Sequence, residues 1–323
     1  MSRPSPSEET ASAYGFMNVD KPAGWTSHDV VAKVRSTLDQ KRVGHTGTLD
    51  PLATGVLVLC LGAATRLARF LPEQWKTYEA QMRLGVSTDT QDRQGRVVRE
   101  RPFTGGEPEI RAAFSGFVGD ITQVPPKVSA VKVDGKALYR WWRQGVDVKV
   151  APRKATIAEL RVGGSSLGRE PAVRFTVRCS KGTYVRTLCN DVGEKLGCGA
   201  HLTELRRVAS GDFKVDRAAS LETVVDRARE GTIEELIAEP EEVLSSYPQL
   251  AVDESAATAV LHGAKLRESM IVSRDPGLKS GDLARVVDRD HKLLAMAEVS
   301  ESALSGRHGP VLARSVWVRP NRV

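Results

Sequence analysis

Residues 55–61 read Gly-Val-Leu-Val-Leu-Cys-Leu, an apolar run without a polar break. A run this short, next to a turn-rich segment, fits a buried strand. Residues 76–84 behave differently. Tyr78, Ala80, Met82 and Leu84 alternate with Thr77, Glu79, Gln81 and Arg83, the period of a strand with one face on a core. Residues 173–179 alternate in the same way, with Val, Phe, Val and Cys against Arg and Thr. Further strands are predicted at 15–20 and 128–133, the second ending at the turn signal Asp134-Gly135. Thr26 or Ser27 can cap a helix to about Leu38, with Val30, Val31, Val34 and Leu38 on one face. Two more helices are expected at 109–118 and 184–196, the latter striped by Val185, Leu188, Val192 and Leu196 and stopped by Gly197. Residues 41–54 read as a glycine-punctuated loop. An acidic helical stretch runs to about Leu244, and Tyr247-Pro248 marks a boundary. Beyond it the pattern is mostly strands, at 284–287, 293–299 and 311–318, with loops at Asp275-Pro276-Gly277 and Ser305-Gly306-Arg307. The expectation is a mixed α/β domain followed by a small β-rich one.

The chain has 323 residues, 41% apolar and 27% charged, enough for two cores without covalent staples. No stretch reaches the unbroken apolar length a bilayer requires. Residues 1–14 contain no apolar run and are rich in Ser, Pro and Glu, so a disordered tail is expected there rather than a signal peptide. A cytoplasmic location is the corresponding expectation. Cys60, Cys179, Cys189 and Cys198 form no C-x-x-C pair, which argues against zinc and for small apolar packing in a reducing compartment. The net charge is +7 and uneven: residues 221–245 hold eight acids and two bases, a local −6, leaving +13 on the rest. A basic body with one acidic segment suggests a polyanionic partner.

The most unusual segment leads into the apolar run: Arg42-Val43-Gly44-His45-Thr46-Gly47-Thr48-Leu49-Asp50-Pro51-Leu52-Ala53-Thr54-Gly55. Its glycines let a backbone approach a ligand closely. Pro51 stiffens the chain after Asp50 and biases Asp50 toward an extended conformation. One carboxylate is thus held on a stiff loop before a core strand. On local grounds alone Asp50 is as readily a turn residue, and His45 an imidazole bonded to backbone. A phosphate-cradling loop is excluded, because no G-x-x-x-x-G-K-[ST] string occurs.

The string resembles the signature of the TruB family of pseudouridine synthases, G-H-x-G-x-L-D-P-x-A-x-G, over twelve positions. Further blocks resemble the same family in the same order: Asp20-Lys21-Pro22-Ala23-Gly24-Trp25-Thr26-Ser27, Lys76-Thr77-Tyr78 and residues 84–92. Residues 124–132, then Ser180-Lys181-Gly182-Thr183-Tyr184-Val185-Arg186, then residues 199–207 continue the series, which covers about 15–215. The resemblance implies an α+β fold. A catalytic domain over 15–246 would carry a mixed, mainly antiparallel sheet, and a small PUA-like β-rich domain would follow over 247–323.

It also implies the reaction. The N-glycosidic bond of a uridine breaks, the uracil rotates, and C5 joins C1′. Nothing is oxidised or hydrolysed, so no cofactor and no metal are expected. Asp50 would be the essential residue, attacking C6, attacking C1′ or helping to form a glycal. Arg186 would pair with it and keep it charged despite burial. Tyr78 would stack on the uracil and help remove the C5 proton; read alone it is a core tyrosine. Tyr184 and Leu205 would complete the pocket. His45 would fill the stack left by the flipped base, and Lys21 would contact the RNA loop. The implied partner is tRNA, through its T-arm at position 55 and its acceptor stem, with the chain acting as a monomer. Two other readings stay open: a guide-RNA-dependent synthase, and a tRNA-folding factor with secondary catalysis. Trp141-Trp142 reads as packing rather than RNA contact. The tail and the 300–308 segment carry no assigned role.

Overall fold

The computed structural model describes residues 13–71, 75–300 and 313–319. The expected tail (apart from Ala13 and Tyr14), the loop at 305–307 and most of the 300–308 segment lie outside them. Nine strands and two helices frame the site: β1 Gly15–Lys21, α1 Ser27–Thr37, β2 Val43–His45, β3 Thr54–Leu61, β4 Lys76–Leu84, β5 Gly119–Gln123, β6 Arg153–Ser166, β7 Ala172–Cys179, α2 Val185–Lys195, β8 Ala200–Ser210 and β9 Ile237–Ala238. Their sheet runs in the order β9-β1-β3-β8-β4-β7-β6-β5, with β2 added beside β3. Neighbours pair antiparallel except β3 and β8, which run parallel through Arg206–Thr54 and Arg207–Gly55. The sheet is thus mixed and mainly antiparallel, as expected.

The unbroken apolar run follows from where β3 lies. Leu57, Leu59 and Leu61 join the main core with Met17, Val19 and helix α1. Val56, Val58 and Cys60 point the other way. They pack with Phe16, Leu67 and Phe70 against Leu293, Met296 and Trp317 of the C-terminal part. Both faces of the strand are covered, so neither tolerates a polar residue. On β4 only Tyr78, Ala80, Met82 and Leu84 turn inward, which reproduces the alternation of the sequence.

Capping fixes the helix beside the site. Thr26 accepts from the Asp29 amide at 3.1 Å, and Asp29 accepts from the Thr26 amide at 2.8 Å, a closed capping box. The C-terminal part forms a separate five-stranded sheet in the order Ile271–Arg274, Gln249–Val252, Leu283–Val287, Leu293–Val299, Ala313–Val318. Its core of Leu250, Val252, Val260, Val286 and Leu294 is its own. All four cysteines are buried free thiols.

Four expectations shift. Residues 128–130 are bends and Val131 is irregular rather than strand, and only Lys132–Val133 pairs, with Lys136–Ala137, around Asp134 and Gly135 at positive φ. Three residues of the expected loop, Val43–His45, pair with β3. The helix expected at 109–118 runs over Glu107–Ser115. The acidic stretch breaks into Leu221–Glu230, a 3-10 turn at Ile233–Leu236, and Pro240–Val243, because Gly231 and Pro240 interrupt it.

Candidate active site

The loop between β2 and β3 is held along its length by backbone bonds. The Thr46 amide donates to the Val58 carbonyl at 3.0 Å, and the Ala53 amide closes a turn onto the Asp50 carbonyl at 3.0 Å. The Ser27 hydroxyl grips Leu49 twice, accepting from its amide at 2.8 Å and donating to its carbonyl at 3.2 Å. The Gly24 amide donates to the Pro51 carbonyl at 2.8 Å. Gly55 ends the loop at φ 98°, where a Cβ would meet the Arg207 carbonyl oxygen at 2.2 Å. Only glycine lets β3 approach β8 so closely.

This scaffold sets Asp50 on the wall of a pocket of about 480 Å³, together with Tyr78, Tyr184, Leu205 and Arg186. Arg186 stands in the first turn of α2 with its side chain only 4% exposed. Its Nη2 donates to Asp50 Oδ1 at 3.0 Å and to the Val128 carbonyl at 2.9 Å, and its Nε lies 2.9 Å from Asp50 Oδ2. Nη1 donates to the Thr90 carbonyl at 3.2 Å and to Asp92 Oδ2 at 3.4 Å. The guanidinium is thus fixed from both sides, while the Asp50 side chain keeps 31% of its surface open to the pocket. Burial pushes the Asp50 carboxyl above the usual carboxylate range. Arg186 opposes that rise, and Asp92 adds to it.

Tyr78 lies on β4 with its phenol facing the pocket, and burial raises its pKa against the pull of Arg207. Tyr184 caps α2: its amide donates to Gln123 Oε1 at 2.9 Å and its carbonyl accepts from Gln123 Nε2 at 3.1 Å. Leu205 pairs with Ala80 and shares the pocket wall with Tyr78. The five residues expected to line one pocket therefore do. Two others stand elsewhere. His45 sits on β2 opposite Leu59, just before the lining residues Thr46 and Gly47. Its Nδ1 is buried without a partner and burial lowers its pKa. Lys21 is fully buried, and its Nζ donates to the carbonyls of Pro22 at 2.8 Å, Trp25 at 2.6 Å and Pro51 at 3.4 Å. The ammonium thus braces the turn that follows Asp50 from behind.

That placement gives Lys21 a measurable signature. Burial lowers its pKa from 10.5 to about 8. Between those values the unfolded chain holds a proton that the folded one has lost, so this group adds stability as pH rises through the window. Lys21→Met should cost about 2–4 kcal/mol at pH 7, because three carbonyls lose a charged donor. Denaturant titrations from pH 7.5 to 10.5 should show the gap to wild type altering across that window. A gap that stays constant with pH would contradict the assignment.

Two residues of the site were missed in the sequence. Asp92 ends the block at 84–92, only 4% exposed, with its Oδ1 accepting from Thr90 Oγ1 at 2.7 Å and from the Gln94 amide at 2.9 Å. Nothing local marked it, since its partner is 94 residues away. Arg207 ends the block at 199–207 and is only 1% exposed. Its signal was phase: two residues after Leu205 on one strand, it must share that inward face. Trp141 packs as expected, its Nε1 donating to the Val133 carbonyl at 3.2 Å, whereas Trp142 remains 37% exposed.

Comparison with known proteins matches this architecture to one family. Residues 35–185 match the TruB family pseudouridylate synthase N-terminal domain, and residues 186–245 the tRNA pseudouridylate synthase B C-terminal domain. The chain is 44% identical over 291 residues to tRNA pseudouridine synthase B of Burkholderia mallei, covering 90% of this chain and 95% of the relative. The chain belongs to the TruB family of pseudouridine synthases. The Geobacter sulfurreducens tRNA pseudouridine synthase B is also 44% identical, over 88% of this chain and 93% of its own. Among solved structures, the archaeal box H/ACA sRNP Nop10-Cbf5 complex contains a chain with TM-score 0.71 and 29% identity, covering 95% of this chain and 86% of that one. As a TruB-family member the chain is an isomerase. Among its described residues no helix is long and apolar enough to cross a membrane.

Proposed function

We propose that this chain converts a uridine in the T-loop of tRNA, position 55, to pseudouridine without a guide RNA. The observation that carries the reading is the Asp50–Arg186 pair, one carboxylate held on a stiff loop at the mouth of a pocket that also contains Tyr78. Asp50 would act on the flipped nucleoside, kept charged by Arg186. Tyr78 would lie against the uracil, with Tyr184 and Leu205 closing the pocket and His45 entering the space the base vacates. Lys76, Arg153 and Lys181 also line the pocket and suit the phosphates around the flipped residue. Lys21 is assigned to bracing the Asp50 turn, not to the RNA. The β-rich part from about residue 247 is taken as a PUA-like module on the acceptor stem, and the protein as a cytoplasmic monomer.

Guide independence is supported by the higher identity to the bacterial tRNA pseudouridine synthases B, 44% against 29% for the chain of the archaeal box H/ACA particle. The test is direct. Purified protein is incubated with unmodified tRNA, without cofactor or guide RNA, and pseudouridine is mapped along the product. The expected result is one new pseudouridine, in the T-loop. No conversion, conversion elsewhere, or conversion only with added guide RNA would overturn the reading.

A further inference from the structure

Arg207 is the largest of the fully buried side chains among the described residues, and the proposed reaction leaves it unused. It stands at the parallel seam, opposite Gly55 on one side and opposite Tyr78 on the other. Its Nε donates to the Val56 carbonyl at 2.6 Å and its Nη2 to the Gly47 carbonyl at 3.1 Å, so the guanidinium is held by the two ends of the Asp50 loop. Nη1 is buried and makes no hydrogen bond of normal geometry. A buried cationic donor without a well-formed acceptor is costly to keep. The residue lines the same pocket as Tyr78.

We propose that Arg207 is a positioning residue for proton removal: its Nη1 stabilises the Tyr78 phenolate that takes the C5 proton of the rearranged base. The inference rests on the pseudouridine synthase reading above. In the rearranged base C5 carries both hydrogen and C1′, and C6 is doubly bonded to N1. The C5–H bond breaks and its electron pair closes C5=C6. The C6=N1 pair moves to N1, which takes a proton from water, while the C5 proton passes to Tyr78 Oη. Tyr78 begins as phenolate and ends as phenol, returning its proton to water; one proton leaves C5 and one reaches N1.

The surroundings of Tyr78 say why a helper is needed. Burial disfavours the phenolate, and so do Asp50 on the loop and Cys179 on β7. Arg207 on β8 is the group that acts in the opposite sense. Lys76, Arg153, Lys181 and Arg186 line the same pocket. Arg186 is already engaged by Asp50, Asp92 and two carbonyls.

The test uses single-turnover conversion of tRNA carrying either uridine or 5-deuterouridine at the target position. Wild type is compared with Arg207→Gln, Arg207→Lys and Tyr78→Phe, each first checked for folding by thermal unfolding. Arg207→Gln should slow conversion about 100-fold, the scale of a weakened general base. Its deuterium isotope effect should exceed that of wild type, because C5–H cleavage becomes limiting. Its rate should climb with pH, since the phenolate now forms only at higher pH. Arg207→Lys should recover part of the rate, and it decides the matter if the Gln variant does not fold. A folded Arg207 variant that is slow, yet keeps the isotope effect and pH profile of wild type, overturns the inference. A Tyr78→Phe variant without a raised isotope effect overturns the role of Tyr78 itself. A raised effect there, with an unchanged one in the Arg207 variants, overturns the Arg207 inference alone.

Discussion

Asp50→Asn should reduce pseudouridine formation by roughly 10⁴-fold or more while tRNA binding stays within about threefold of wild type. Asparagine has the size of aspartate and keeps one oxygen that can accept from Arg186 Nη2, so the pocket keeps its shape. What it lacks is the negative oxygen that attacks carbon or takes a sugar proton, and among the described residues no other carboxylate lines the pocket. Asp92 is the nearest substitute in charge, but it lies on the far side of Arg186. Stability should depend on pH. The carboxyl of Asp50 titrates above its unfolded value, so the folded state binds a proton the unfolded state has released. The charged form therefore costs stability above that folded pKa, and the cost disappears below the ordinary carboxylate range. Asparagine avoids it. The stability of the variant relative to wild type should therefore rise with pH from the ordinary carboxylate range upward, because only wild type carries that cost, and thermal unfolding between pH 4 and 7 measures the trend. Retained conversion by Asp50→Asn would remove the assignment of Asp50; lost conversion with lost tRNA binding would point to a binding role. The folding-factor reading predicts a variant as useful as wild type in tRNA refolding, which the same preparations can measure.

How far the sequence reached depends on the kind of information each feature needed. Strand β4 was legible because alternation is local: every second residue faces the core. The buried strand β3 was legible for the opposite reason, since cover on both faces leaves no polar position. The Asp50 loop was legible because its unusual residues are contiguous. The segment at 128–131 reads as strand in the sequence, but Val131 is buried with no neighbouring strand to pair it and Ala130 is exposed. Arg186–Asp50 was reached through resemblance alone, as the two residues are 136 positions apart. The same distance problem hid Asp92. Lys21 shows a different limit. A lysine beside a Pro-Ala-Gly turn reads as solvated, and only the fold turns its ammonium inward onto three carbonyls. Trp142 and Trp141, adjacent in sequence, part for a simple reason: neighbours on a helix face different ways, and only Trp141 finds the Val133 carbonyl.

The second large effect is expected at Arg186, and its two substitutions should fail differently. In Arg186→Met, Asp50 and Asp92 lose the cation between them and are left as two carboxylates in one partly buried site. Breaking such a pair by removing one partner costs about 3–5 kcal/mol. The attraction that restrained the Asp50 pKa is gone while the burial and the Asp92 repulsion remain, so that pKa must rise further. The acid limb of the pH–rate profile should therefore move to higher pH, and activity at neutral pH should fall by about 10²–10³-fold. Arg186→Lys keeps the charge. It cannot span Asp50, Asp92 and the carbonyls of Thr90 and Val128, because an ammonium lacks the planar fork. Its acid limb should stay near that of wild type while the rate falls, since the carboxylate is still neutralised but no longer aimed. Single-turnover rates from pH 5 to 9 for both variants separate charge from geometry. If the two profiles coincide, Arg186 acts only by holding the loop in place, and the electrostatic account of Asp50 is wrong.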